Sequence, residues 1–103
     1  MIKIQINKTS NKYSSLIVSG HSNYDEHGKD IVCAGVSAIV IGGINALAIN
    51  DKNAISYRVD DGYVNLDVLN IMNDNIQLII DTIVIQLRTL EESYKKYVKI
   101  YEK

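Results

Sequence analysis

The sequence has one cysteine, two histidines, no proline and almost no net charge, and each scarcity narrows what the chain can do. Cys33 stands alone and cannot close an internal disulfide, so nothing points to an oxidising compartment and the thiol is left for packing or chemistry. The cytoplasm is the expected location. With 11 basic and 12 acidic side chains the formal charge is -1, which gives no field to gather nucleic acid or an anionic membrane, and neither is an expected partner. Close ligand spacings such as C-x-x-C or H-x-x-x-H are missing. A metal site drawn from Cys33, His21, His27 and Asp25 therefore has no anchor, and no cofactor is expected. No repeat, linker or low-complexity segment divides the chain. Its 103 residues suit one domain over 1–103, which at this size buries roughly two-thirds of the unfolded surface. Residues 1–7 alternate apolar and polar where an export signal would run continuously apolar, so none is expected.

Alternation is also the first structural signal present. Ile2, Ile4 and Ile6 share one face of a predicted first strand, and polar residues 8–12 make a turn into a second strand over 13–19. Residues 20–29 are polar, with Gly20 and Gly28, and read as an exposed loop. Asp30 then precedes an apolar run, where an N-cap belongs, able to accept from the Val32 or Cys33 N–H. From Ile31 to Ile49 there are 19 residues without a formal charge, close to the length of a membrane span. Gly42, Gly43 and Asn45 inside the run, Asp30 and Asp51 at its ends, and the lack of a Lys/Arg cluster favour a core helix. Its apolar residues surround the axis, which predicts central burial, partly under a second subunit. Gly35, Gly42 and Gly43 each cost about 1 kcal/mol against alanine in a helix interior, so close approach of a strand or helix is expected to compensate.

Residues 54–59 and 63–68 read as a second hairpin about Asp60-Asp61-Gly62. Ile76, Ile79, Ile80, Ile83, Leu87, Leu90 and Tyr94 follow helical spacing, with Asn73 as N-cap and no Gly or Pro to interrupt them. Residues 96–101 fit either a frayed helix end or a short closing strand. The order ββαββα predicts an α+β fold: two β-hairpins forming a mainly antiparallel sheet packed with two helices, with a short C-terminal strand as an option.

Chemistry concentrates in residues 20–37, G-H-S-N-Y-D-E-H-G-K-D-I-V-C-A-G-V-S. Cys33 would lie in the first turn of a helix, where unpaired N–H groups favour a thiolate, while the Asp30 carboxylate opposes it. His21 would end a strand and Cys33 open the next helix, so a strand-loop-helix connection can join them across twelve positions. In that arrangement His21 takes the thiol proton, the sulfur attacks a peptide carbonyl, and helix-start N–H groups hold the oxyanion. Gly20 and Gly35 would let a substrate backbone approach. Free cysteines in apolar helices are often simply packed, and loop histidines are often inert, so a structural reading of Cys33, His21 and His27 stands beside the catalytic one. Ser37, one turn after Cys33, could face the site or back-bond within its helix.

The run G-H, a glycine-containing polar loop and D-I-V-C-A-G-V-S resembles the signature of the ribosomal-processing cysteine protease family, Prp. The likeness extends to A-I-V-I-G-G-I-N-A, D-D-G-Y and N-D-N-I-Q-L-I-I-D-T-I-V-I-Q-L-R-T-L-E-E-S-Y, and so covers essentially the whole chain. The resemblance implies Cys33 as nucleophile, His21 as general base, and Gly20, Asp30 and Ser37 in support. It also implies a homodimer that removes an N-terminal extension from the precursor of large-subunit ribosomal protein twenty-seven, cutting after an aromatic pair and before a small residue. A binding module that holds the peptide without cutting it is the alternative, as is a structural domain with an inert thiol. Residues 22–29 would form a mobile cover over the substrate. Ser22 departs from the family, where alanine is common, and its hydroxyl is expected to redirect the hydrogen bonds of His21. No third residue is identified to orient His21, so a dyad is expected, with Asp30 supporting it.

Overall fold

The alternating isoleucines form strand β1 (Ile2–Thr9), antiparallel to β2 (Lys12–Ser19), with Ile4 opposite Val18 and Ile6 opposite Leu16 in the computed structural model. The structure describes residues 1–26 and 30–103. Ser10 and Asn11 join the two strands at φ 52° and 63°, the positive values that a tight hairpin between right-twisted strands demands. Strands β3 (Ile55–Asp60) and β4 (Tyr63–Val68) make the second hairpin, and β4 pairs antiparallel with β2, Leu66 opposite Leu16. The C-terminal segment, which the sequence left between helix and strand, is β5 (Val98–Glu102), parallel to β1. The sheet order is β3-β4-β2-β1-β5, mainly antiparallel with one parallel pair at the edge.

Two helices cover one face of this sheet. Helix α1 (Ile31–Asp51) contributes Val32, Val36, Val40, Ile44 and Leu47, and α2 (Asp74–Ser93) contributes Ile76, Ile80, Ile83, Val84 and Leu87. They meet Ile2, Ile4, Ile6, Leu16, Val18, Leu66 and Val98 of the strands in one core. Hydrophobic burial supplies about 1.5–3 kcal/mol for each such side chain, before conformational entropy opposes it. A single turn of 3₁₀ helix (Lys52–Ala54) leads from α1 to β3.

The expectation that α1 is buried all round does not hold within one protomer. Only the valine-to-leucine stripe is covered, whereas Ile31 is 55% and Ile49 85% exposed. The reason is architectural: a two-layer fold leaves nothing outside its helices. By length and composition α1 could cross a membrane, yet its stripe is spent on the sheet and α2. The glycines divide. A Cβ on Gly43 would lie 2.3 Å from Ile83 Cδ1, and one on Gly35 would touch the Leu90 methyls at 3.5 Å, so both permit the approach of α2. Gly42 has nothing within 4 Å, and the compensation expected there is absent. Gln77 of α2 grips β2 by accepting from the Tyr13 N–H at 2.8 Å and donating to the Tyr13 carbonyl at 2.9 Å.

Candidate active site

The start of α1 is organised by Asp30. One carboxylate oxygen accepts from the N–H groups of Val32 and Cys33, both at 3.0 Å. The other accepts from the Ser22 hydroxyl, from the Tyr24 N–H at 3.0 Å and from the Asp25 N–H at 3.5 Å. Asp30 thus caps the helix and ties the preceding loop to it. Burial by itself raises this carboxyl, but the bonds from Ser22, Cys33, Tyr24 and Asp25 outweigh it and hold the group well below the usual carboxylate range.

The cap also corrects one expectation. The Val32 and Cys33 N–H groups go to Asp30 Oδ1, and the Ala34 N–H goes to the Asp30 carbonyl at 3.0 Å. These helix-start donors are therefore committed to the cap and are not open to an oxyanion.

Cys33 is half-buried and free. Its sulfur accepts from the Ser22 N–H at 3.3 Å, and its thiol faces the Ser22 Oγ at 3.4 Å. The thiol is thus neither loose nor wholly packed away. Ser22 is itself buried, 3% exposed, with its hydroxyl between Asp30 and Cys33. The expectation that this hydroxyl turns to His21 is overturned by these contacts.

His21 does not end β2 as expected but lies two residues beyond Ser19, after Gly20, exposed and lining the same cleft. Its seat is the β3–β4 turn, where a Cβ on Gly62 would lie 2.8 Å from His21 Nε2. Gly62 has φ +69°, so a side chain there would be strained as well as obstructive. The register Ser19 opposite Tyr63 brings that turn beside His21. Gly20 has φ +90°, donates its N–H to the Gly62 carbonyl at 2.9 Å, and a Cβ on it would lie 2.5 Å from the Met1 carbonyl oxygen. Its glycine is demanded by the chain's own backbone, which differs from the expected role of admitting a substrate. Gly35 faces α2 and takes no part in the cleft.

His21, Cys33, Asp30, Gly20 and Ser37 all line one cleft of about 600 Å³. Ser37 is exposed within it, while the back-bonds considered for a helical hydroxyl are made elsewhere, by Thr82 to Leu78 and Thr89 to Ile85. Val36, Val40, Ile41, Val59 and Val64 add apolar lining, and Asp25, Asp60 and Asp61 add carboxylates. A thiol, an imidazole and an apolar recess in one cleft suit attack on a peptide carbonyl with an apolar side chain alongside.

Of the expected cover, residues 22–25 are held down. Tyr24 sets its ring edge against Tyr94 at 5.7 Å and Tyr97 at 5.0 Å, beyond the end of α2. Residues 27–29, and with them the His27 of the imagined metal site, lie outside the described residues. Among the described residues no cluster of three His, Cys, Asp or Glu could hold a metal ion.

Comparison with known proteins agrees with this geometry. The family model described as cysteine protease Prp matches residues 1–99. A ribosomal processing cysteine protease Prp from Staphylococcus aureus is 33% identical over 91 residues, 86% of each chain. The crystal structure of an essential ribosomal processing protease Prp from S. aureus with a covalently linked product peptide superposes with TM-score 0.93, at 34% identity over all of both chains. The same protein with a substrate peptide gives TM-score 0.89, at 32% identity over all of both. The chain therefore belongs to the ribosomal processing cysteine proteases of the Prp family.

Proposed function

We propose that Cys33 is the nucleophile and His21 the general base, and that the substrate is the precursor of large-subunit ribosomal protein twenty-seven, from which a short N-terminal extension is removed. The observation that carries the reading is the meeting of His21 and Cys33 in one cleft from separate elements. His21 takes the Cys33 proton as sulfur bonds to the scissile carbonyl carbon, then gives that proton to the departing amine. A water, deprotonated by His21, hydrolyses the resulting thioester, releasing the carboxylate and restoring the thiol. Asp30 supports the site by fixing the helix start, Gly20 by placing His21, and Ser37 by facing the peptide. The covalent product complex of the S. aureus relative is in keeping with a covalent intermediate.

The apolar recess formed by Val36, Val40, Ile41, Val59 and Val64 favours a substrate with bulky apolar side chains, as an aromatic pair before the cut would supply. The working unit is a single protease domain over 1–103, acting in the cytoplasm as a homodimer without direct contact to nucleic acid or membrane. The uncovered outer side of α1, with Ile49 85% exposed, offers apolar surface for the second subunit.

The test is cleavage, under reducing conditions, of a peptide copying an extension junction with its aromatic pair. The protein should cut after the pair, Cys33→Ala should be inactive, and His21→Ala should lose about a hundredfold or more. Replacing the pair by two alanines should raise KM. Undiminished cutting by Cys33→Ala would remove the mechanism, and equal cutting of the alanine peptide would remove the substrate class.

A further inference from the structure

The Ser22 hydroxyl has one proton and three neighbours, and the proton can go to only one of them. Asp30 Oδ2 is the strongest acceptor in reach, and the hydroxyl makes its shortest contact there. The Asp30 carboxylate is held ionised by the bonds already described and has no proton to return. Toward its other neighbours the Ser22 oxygen therefore presents lone pairs only. It accepts from the Tyr24 N–H at 3.2 Å, and Cys33 Sγ lies 3.4 Å away. A thiol satisfies that contact by donating its S–H, whereas a thiolate would set a negative sulfur against a lone pair.

We propose that Ser22 is a positioning residue which, locked by donation to Asp30, accepts the Cys33 S–H in the resting enzyme, aims the sulfur and holds the nucleophile as thiol until His21 takes its proton. Once that proton has gone, the Ser22 N–H at 3.3 Å still donates to the sulfur. One residue thus meets both states of the nucleophile, its hydroxyl favouring the thiol and its backbone the thiolate. Among the described residues, the other titratable or charged groups of the cleft are His21 two residues after β2, Asp25 in the following loop, and Asp60, Asp61 and Tyr63 about the β3–β4 turn. Asp30 keeps four backbone N–H donors without the hydroxyl, so its cap survives.

The proposal rests on Cys33 being the nucleophile, and its test separates the two ideas because the readout is thiol reactivity. Since Cys33 is the chain's sole cysteine, its alkylation by iodoacetamide can be followed from pH 5 to 10 without ambiguity. In Ser22→Ala the pH of half-limiting rate should fall by about half a unit, giving about threefold faster alkylation on the acid side. Ser22→Thr, which keeps the hydroxyl, should follow the parent. An unchanged or raised midpoint in Ser22→Ala overturns the proposal. Should Ser22→Ala fail to fold, the parent still decides: its single S–H infrared band should show the lowered frequency of a hydrogen-bonded thiol, and a band at the unbonded position overturns the proposal. Persistent peptide cleavage by Cys33→Ala would instead sink the nucleophile assignment, whatever the alkylation profile shows.

Discussion

Asp30 does the most with a single side chain, and its effect is measurable apart from catalysis. Its carboxyl lies below its ordinary value of 3.8, so the unfolded chain binds more protons at this site and stability rises with pH. The contribution is present above about pH 4 and is lost as pH falls below the unfolded value toward the lower folded one. Asp30→Ala should lower stability by about 1 kcal/mol from the lost cap alone and flatten the acid limb of a denaturation-against-pH curve. An acid limb identical to the parent's would contradict this role. Tyr13 works at the other extreme. Burial first, then donation to Asp81 at 2.5 Å and the charges of Asp81 and Glu102, against Arg88, raise it to about 12 from 10.0. Its contribution is complete below pH 10 and declines as pH rises toward 12. Tyr13→Phe should therefore remove part of the alkaline dependence of stability, which unfolding followed from pH 9 to 12 would report. The cap by Asp30 and the candidacy of His21 and Cys33 could be read from the sequence because helix caps and nucleophile-base pairs leave local residue patterns. The place of Ser22 could not. Its position depends on Ser22 and Asp30, eight positions apart, being brought together, for which the sequence carries no periodic signal.

Among the elements, the crossing of α1 over α2 is fixed where Gly43 admits Ile83. Gly43→Ala should destabilise by about 1–3 kcal/mol through overpacking, and Ile83→Val in the same chain should recover part of that loss. Additive effects in chemical denaturation of the two single variants and the double variant would show that the helices do not press together there. The Tyr24 contacts with Tyr94 and Tyr97 hold the loop after β2 in the same manner. Tyr24→Ala should speed amide exchange over residues 22–25, and unchanged protection would assign the loop's order to Asp30 alone. The hairpins were legible from alternation and turn residues, α2 from its period of three to four residues, and α1 from an uncharged apolar run behind the Asp30 cap. The strand β5 was not, because five residues with Val98 and Ile100 turned inward fit either period. Only the free edge of β1 decides for the strand, and that edge belongs to the tertiary structure.

At the scale of the molecule, the cleft exists because three remote pieces of sequence converge: the end of β2, the β3–β4 turn and the start of α1. Gly62 illustrates why part of the site escaped the sequence. It was legible as turn chemistry, yet its service as the seat of His21 follows from the Ser19–Tyr63 register. The incomplete burial of α1 within one protomer has a similar origin, since an apolar surface announces that it will be covered without saying by what. The most direct test of the central claim is the mass of the protein after reaction with a peptide aldehyde or chloromethyl ketone that ends in an aromatic pair. One adduct per chain, mapped to Cys33, absent in Cys33→Ala and slower to form in His21→Ala, is the predicted result. An adduct that forms equally fast without His21, or that maps to another residue, would contradict the assignment of Cys33 and His21 as the catalytic pair.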